Sequence, residues 1–155
     1  MAIRNIVTVD NPLIRKISKP VTKFDESLWQ LLDDMYDTMK KADGVGIAGI
    51  QVGVLKRVLI VETNGWKVEL INPELVSFSG SQCSPEGCLS VPGKRGYVER
   101  PLTVTVKAVD RYNFPIEITV TDFMAKAFCH EMDHLDGILY IDKMVKPAEL
   151  KKKNK

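Results

Sequence analysis

His130-Glu131-Met132-Asp133-His134 is the stretch whose residue types and spacing can do chemistry. On a helix, two histidines four apart differ by about 40° around the axis, so both imidazoles leave one face, one turn apart. Glu131 projects about 60° to one side of His134, close to whatever the rings hold but not in line with them. That arrangement suits a divalent metal carrying a water, with the carboxylate placed to take the water's proton. The chain has two histidines, and this motif uses both.

Two imidazoles rarely hold a catalytic metal alone; a third protein ligand is expected, with one position left open. With no histidine left, a metzincin-type site is excluded and the ligand must be a thiolate or a carboxylate. Cys129 points about 100° away from His130, on the side opposite Glu131, and reads as core. Glu149 lies in a lysine-rich end. That leaves Cys83 and Cys88, and the glycine before Cys88 favours it by allowing a tight approach. A second chemical candidate is Gln51, the lone polar side chain in the glycine-rich run Gly44 to Gly53. It either caps nearby backbone or aims its amide at a substrate oxygen. The run lacks a Gly-Lys-Ser/Thr ending and a preceding strand, so it is not a phosphate loop.

The elements that must position these groups follow from periodicity. Residues 1–22 are turn-rich and read as an extended arm that wraps the body. Asp25 caps a helix running to about Ala42, with Leu28, Leu32, Met35 and Met39 on an inward stripe and Asp33, Asp34, Asp37 and Lys40 in water. Residues 57–62 and 67–71, split by Asn64-Gly65, read as a β-hairpin that Pro73 ends, with Leu75 to Phe78 as a further short strand. Residues 97–109 and 116–120, split by Arg111-Tyr112-Asn113, read as a second hairpin. Thr121 and Gly137 bracket the metal helix. Met124, Ala125, Phe128, Met132 and Leu135 lie opposite the histidines, and Phe123 and Ala127 extend the histidine stripe, so this helix runs through the middle of the fold. Asp122, Lys126 and Asp133 share a polar edge, either as an ion pair or with Asp133 bracing an imidazole. The pattern predicts an α+β single domain: antiparallel sheets around a central metal-binding helix, with an earlier amphipathic helix.

At 155 residues, with 45% hydrophobic and 27% charged residues, the chain fits one globular domain. We expect residues 1–147 to form it and 148–155 to be a basic tail. Residues 1–5 lack the apolar run of a signal peptide, and no stretch is long enough to span a membrane. A net charge of +2 does not by itself imply nucleic acid. The basic run Lys151 to Lys155 is a solvated end or an electrostatic contact with an acidic or RNA-rich partner. Three cysteines without an export signal indicate reduced thiols in a cytoplasm.

Three segments together resemble the bacterial-type peptide deformylase family. They are the glycine-rich run ending in glutamine (Gly44 to Gln51), Glu86-Gly87-Cys88-Leu89-Ser90, and His130 to Gly137, which reads HExDHLxG. The opening, from Val9-Asp10-Asn11-Pro12 to Lys19-Pro20-Val21, is also similar, so the likeness spans nearly the whole chain. The chain departs from the family in two places: Gly46-Ile47-Ala48-Gly49-Ile50-Gln51 stands where Gly-Leu-Ala-Ala-Pro-Gln is usual, and Cys129 where many members carry glutamine. The resemblance implies hydrolysis of the N-formyl group from the first methionine of nascent proteins. It implies Cys88, His130 and His134 as ligands of Fe(II), with Zn(II) also able to occupy the site. Glu131 would serve as base and then acid, and Gln51 and the Leu89 N–H as oxyanion donors. Val45, Phe123 and Ala127 are expected to wall a pocket for the methionine side chain. Gly44, Gly46, Glu86 and Gly87 are expected along the bound peptide. Arg95 is either a further contact or an exposed loop cation. The basic tail would favour the ribosome surface. Two rivals make different predictions. A zinc peptidase would cut unformylated peptides, and a binding module with a closed Cys83, Cys88, His130, His134 site would lose metal on Cys83→Ala.

Overall fold

The computed structural model describes residues 2–146. The anticipated basic tail, and Glu149, lie outside the described residues. Among the described residues, seven strands and two α-helices follow in the order α1 (Glu26–Lys41), β1 (Gly46–Ala48), β2 (Val58–Thr63), β3 (Trp66–Ser79), β4 (Gln82–Cys88), β5 (Val91–Arg100), β6 (Thr103–Val109), β7 (Pro115–Thr121) and α2 (Asp122–Leu135). Short 3-10 turns cover Pro12–Arg15, Gly49–Val52 and Tyr140–Asp142. The class is α+β. A five-stranded antiparallel sheet has the order β1-β2-β3-β6-β7, and β4 and β5 pair separately.

The large sheet is sandwiched between the helices, and β2 shows why. Its alternate residues Leu59 and Val61 join the core beneath α2, while Val58 and Ile60 join the core beneath α1. A strand buried on both faces reads as a continuous apolar run, and Val58-Leu59-Ile60-Val61 is one. Asp25 caps α1 by accepting from Leu28 N. Leu28, Leu32, Met35 and Met39 are fully buried, each worth roughly 1.5–3 kcal/mol relative to exposure.

Three expectations need correction. Asp34 is not in water: it is 3% exposed, because residues 2–4 fold over it. Its carboxylate accepts from Ala2 N, Arg4 Nε and Gln30 Nε2. Pro73 does not end its strand. With no N–H to give the ladder it sits in a register shift between Ile71 and Glu74 of the β3–β6 pair; β2 pairs with β3 only as far as Ile71, while β6 pairs with it from Ile71 to Ser79. Finally, residues 97–109 are not one strand. The chain leaves the β4–β5 pair after Arg100 and enters the large sheet at Thr103. Residues 82–88 form a strand although their glycine, proline and cysteines carry little β signal.

The arm wraps the body and ties the site's loops together. Val7 N donates to Gln51 O (2.7 Å), and Val9 N donates to Ser90 O (2.8 Å). Further along, Ser18 N donates to Leu135 O at the end of α2. Gly137 follows that end with φ of 75°, where an added Cβ would collide with the Arg15 carbonyl. Among the described residues no helix is long and apolar enough to cross a membrane.

Candidate metal centre and cleft

Three segments distant in sequence meet at α2. Thr121 precedes this helix in an extended conformation, although its hydroxyl bonds to Asp122 and caps no helical N–H. His130, Glu131 and His134 are buried, and the first two line the cleft. Cys88 is the last residue of β4, pairing with Val91 across the Leu89-Ser90 turn, which brings its sulfur over the helix. Gln51 lies in the 3-10 turn after β1.

One donor atom each from Cys88, His130 and His134 lies within 4.8 Å of the others. Cys88 Sγ is 3.3 Å from His134 Nε2, and the imidazole centroids are 5.1 Å apart at 72°. His130 Nδ1 is engaged by Glu86 Oε1 at 2.8 Å, which leaves Nε2 to face the sulfur side. A thiolate and two imidazoles in this separation fit a tetrahedral divalent ion with one position open. Cys83 is paired with Glu99 in the β4–β5 ladder and is not part of this group.

Glu131 and Glu86 occupy opposite electrostatic environments. Burial pushes Glu131 up to about 7, the nearby His130 and Arg100 only partly offsetting it. Its Oε2 is 4.0 Å from His130 Nε2, and its Oε1 has no hydrogen-bond partner among the described residues. Burial would also raise Glu86, but bonds from Arg100 and His130 outweigh it and hold that carboxyl at about 2. Arg100 grips Glu86 with both Nε and Nη2 at 2.9 Å. For His130, burial opposes the charged form, yet the negative groups at Glu131, Cys88 and Glu86 raise it to about 10. His134 is lowered by burial and by the His130 charge, and its Nδ1 is buried without a partner among the described residues. Two carboxyls pushed apart in this way can divide the work, one staying ionised while the other exchanges a proton near neutral pH.

Gln51 caps nearby backbone, the first of its two expected roles, and turns its amide NH2 toward Ser90 and Cys88. Its Oε1 accepts from Ala48 N (2.9 Å), while Nε2 donates to Ser90 Oγ (3.1 Å) and lies 3.6 Å from Cys88 Sγ. The amide is thus held with its NH2 at the thiol. A cleft of about 730 Å³ opens beside these groups. Gly44, Val45, Gly46, Gly87, Leu89, Phe123 and Ala127 all line it, together with Gln51, Cys88, His130 and Glu131. Val45 and Phe123 are 44% and 43% exposed, so these two apolar side chains stand open at the cleft. Arg95 lines it too.

Glu86 borders the cleft but is 4% exposed, with both oxygens committed to Arg100 and His130. The expectation of substrate contact gives way to a bracing position. The polar edge of α2 is also rearranged. Asp133 binds Arg100 Nη1 at 2.6 Å instead of an imidazole, and Lys126 binds Ser84 Oγ and Pro85 O instead of an aspartate. Sequence reasoning missed Arg100, Ser90 and Tyr140. Tyr140 stacks on His130 at 6.1 Å and 22°. Ser90 stood inside a motif already singled out; Arg100 carried no local signal, since its partners come from β4 and α2.

The family profile described as polypeptide deformylase matches residues 3–150. A peptide deformylase of Alkaliphilus metalliredigens is 51% identical over 146 residues, covering 94% of this chain and 99% of its own. The crystal structure of a peptide deformylase from Legionella pneumophila superposes with a TM-score of 0.90 at 43% identity, covering 98% of this chain and 91% of the other. A Met-ala-ser-bound class I type b peptide deformylase from Acinetobacter baumannii does so with a TM-score of 0.87 at 35% identity, over 92% and 98%. With this match along nearly its whole length, the chain belongs to the polypeptide deformylase family, metal-dependent hydrolases that remove the N-formyl group from newly made proteins.

Proposed function

We propose that Cys88, His130 and His134 hold Fe(II), that Glu131 carries the proton, and that Gln51 and the Leu89 backbone N–H receive the developing oxyanion. The observation that carries this reading is the meeting of three donor atoms within 4.8 Å beside a buried carboxyl held near 7. Thiolate and imidazole donors suit both Fe(II) and Zn(II), and the family resemblance favours iron. A bound divalent ion supplies Lewis acidity and lowers the pKa of a water held there.

Glu131 accepts a proton from the attacking water as the C–O bond forms at the formyl carbon. It then delivers that proton to the amine nitrogen as the C–N bond breaks, so formate and a free amino terminus leave. Gln51 Nε2 donates to the formyl oxygen as charge accumulates on it; Ala48 and Ser90 keep the amide from turning. Glu86 holds the His130 ring with Nδ1 protonated, while Arg100 and Asp133 hold Glu86. Val45, Phe123 and Ala127 wall the pocket for the methionine side chain. The backbone at Gly44, Gly46 and Gly87 receives the following residues as an added strand. The Met-ala-ser complex of the Acinetobacter baumannii relative supports a methionine-first peptide as ligand.

Anaerobic protein loaded with Fe(II) should release formate from formyl-Met-Ala-Ser and leave the unformylated peptide intact. Cys88→Ala should lose the metal and Cys83→Ala should keep it; the opposite pattern defeats the ligand assignment. We further propose a bacterial cytoplasmic setting, which the bacterial relatives support. The Lys151 to Lys155 run is proposed as a ribosome contact. Unchanged co-sedimentation at low salt after its deletion removes that idea.

A further inference from the structure

We propose that Gly46 is a positioning residue for Glu131: the side chain missing at 46 is what lets the carboxyl sit beside the imidazoles. The proposal rests on Glu131 being the proton carrier.

A Cβ built on Gly46 would lie 2.5 Å from Glu131 Oε2 and 3.0 Å from both Cδ and Cγ. Turning the carboxylate plane relieves only the oxygen contact; Cδ and Cγ, at 3.0 Å, must also give by a few tenths of an ångström. No other group among the three nearest to that Cβ comes from elsewhere, and neither imidazole nor Cys88 is among them. The backbone at 46 does not itself demand glycine, since its φ lies outside the left-handed region. What requires glycine there is space, and Glu131 fills it.

The carboxyl depends on this wall because hydrogen bonds do little to hold it. Its Oε1 has no partner among the described residues, and its Oε2 is 4.0 Å from the nearest ring nitrogen of His130. Gly46 by contrast is fixed. It pairs with Val61 of β2 in the sheet's edge strand, and Ile47 and Ala48 beside it are fully buried. Gly87 on the opposite wall shows the difference: its nearest neighbour to an added Cβ is 3.6 Å away, ordinary contact.

The test is a cycle of Gly46→Ala, Glu131→Ala and the double variant, with metal content and formyl-Met-Ala-Ser kinetics on each. Displacing a reacting group by about 1 Å can cost about 100-fold, so Gly46→Ala should lower kcat by that order, with metal stoichiometry held within about two-fold and any rise in KM smaller than the fall in kcat. In the Glu131→Ala background the same change should lower kcat no further. Adding Glu131→Asp, one methylene shorter, should make Gly46→Ala less damaging than it is beside the full-length side chain. A crystal structure of Gly46→Ala should show the Glu131 carboxyl moved by about 1 Å or more. A raised KM with unchanged kcat, the same loss repeated in the double variant, or an unmoved carboxyl each overturns the proposal. Wild-type turnover by Glu131→Ala alone would instead sink the proton-carrier reading, and the crystal structure still decides whether Gly46 sets the carboxyl's place. Should Gly46→Ala fail to fold in the wild-type background, recovery of a folded protein with Glu131→Ala supports the steric link, and failure in both backgrounds overturns it.

Discussion

The two helices each bury an acid, and the two acids are treated in opposite ways. Asp34 on α1 is 3% exposed and its oxygens take three donors, from Ala2, Arg4 and Gln30. Those bonds outweigh burial and lower its pKa. Glu131 on α2 is 5% exposed, one oxygen is without a partner among the described residues, and its pKa is raised. A buried polar group costs free energy unless it is satisfied, so a fold built only for stability uses the first arrangement. The second is tolerated where the group must be able to exchange a proton. Burial alone therefore does not mark a working residue; between these two acids, it is satisfaction that differs.

Mutations can break this comparison. The largest expected effect is Glu131→Ala, which should lower turnover about 1,000-fold while leaving metal content intact. Thermal denaturation should show no loss of stability, since no hydrogen bond of that side chain is removed. Metal loss or a fallen Tm would place Glu131 with Asp34 as a structural group. Next comes Gln51→Leu, which removes the proposed oxyanion donor and should cost about 100- to 1,000-fold in kcat. An equal change in KM alone would reassign it to ground-state binding.

Asp34→Ala should do the reverse, destabilising the fold by about 1–3 kcal/mol because Ala2 N and Arg4 lose their acceptor. Formate release at a temperature where the variant stays folded should match wild type. A turnover defect there would erase the distinction between the helices. The mildest effect is the pH response of Glu86, lowered from 4.5 to about 2 in the folded state. A depressed carboxyl contributes stability that is fully present above about 4.5 and is lost as pH falls through about 2. Tm should therefore decline across that window, and Glu86→Gln should flatten the decline. An unchanged slope would show that Arg100 does not hold Glu86 ionised.

Much of this molecule could be read without coordinates, for local reasons. The stripe on α1 and the histidine pair on α2 depend only on helical period, which neighbours in sequence dictate. The Asn64-Gly65 hairpin is likewise local: both residues adopt positive φ, as its turn requires. Harder to read were the groups whose position depends on pairing. Residues 82–88 form a strand because β5 lies beside them, not because of their own preferences. Asp34 looks solvated on a helical wheel until the N-terminal arm folds over it.

Residue chemistry and helical period alone were enough to point to an α+β class, to put two imidazoles on one face of a helix and to narrow a third donor to a thiolate or a carboxylate. Tertiary structure decided which cysteine stands over the imidazoles, that Glu86 and not Asp133 braces His130, and that Arg100 is buried between them. Those outcomes turn on strand register and on contacts between residues 14 to 46 positions apart. A side chain's electrostatic environment is the sum over whatever the fold brings near it, and no window along the chain contains that sum.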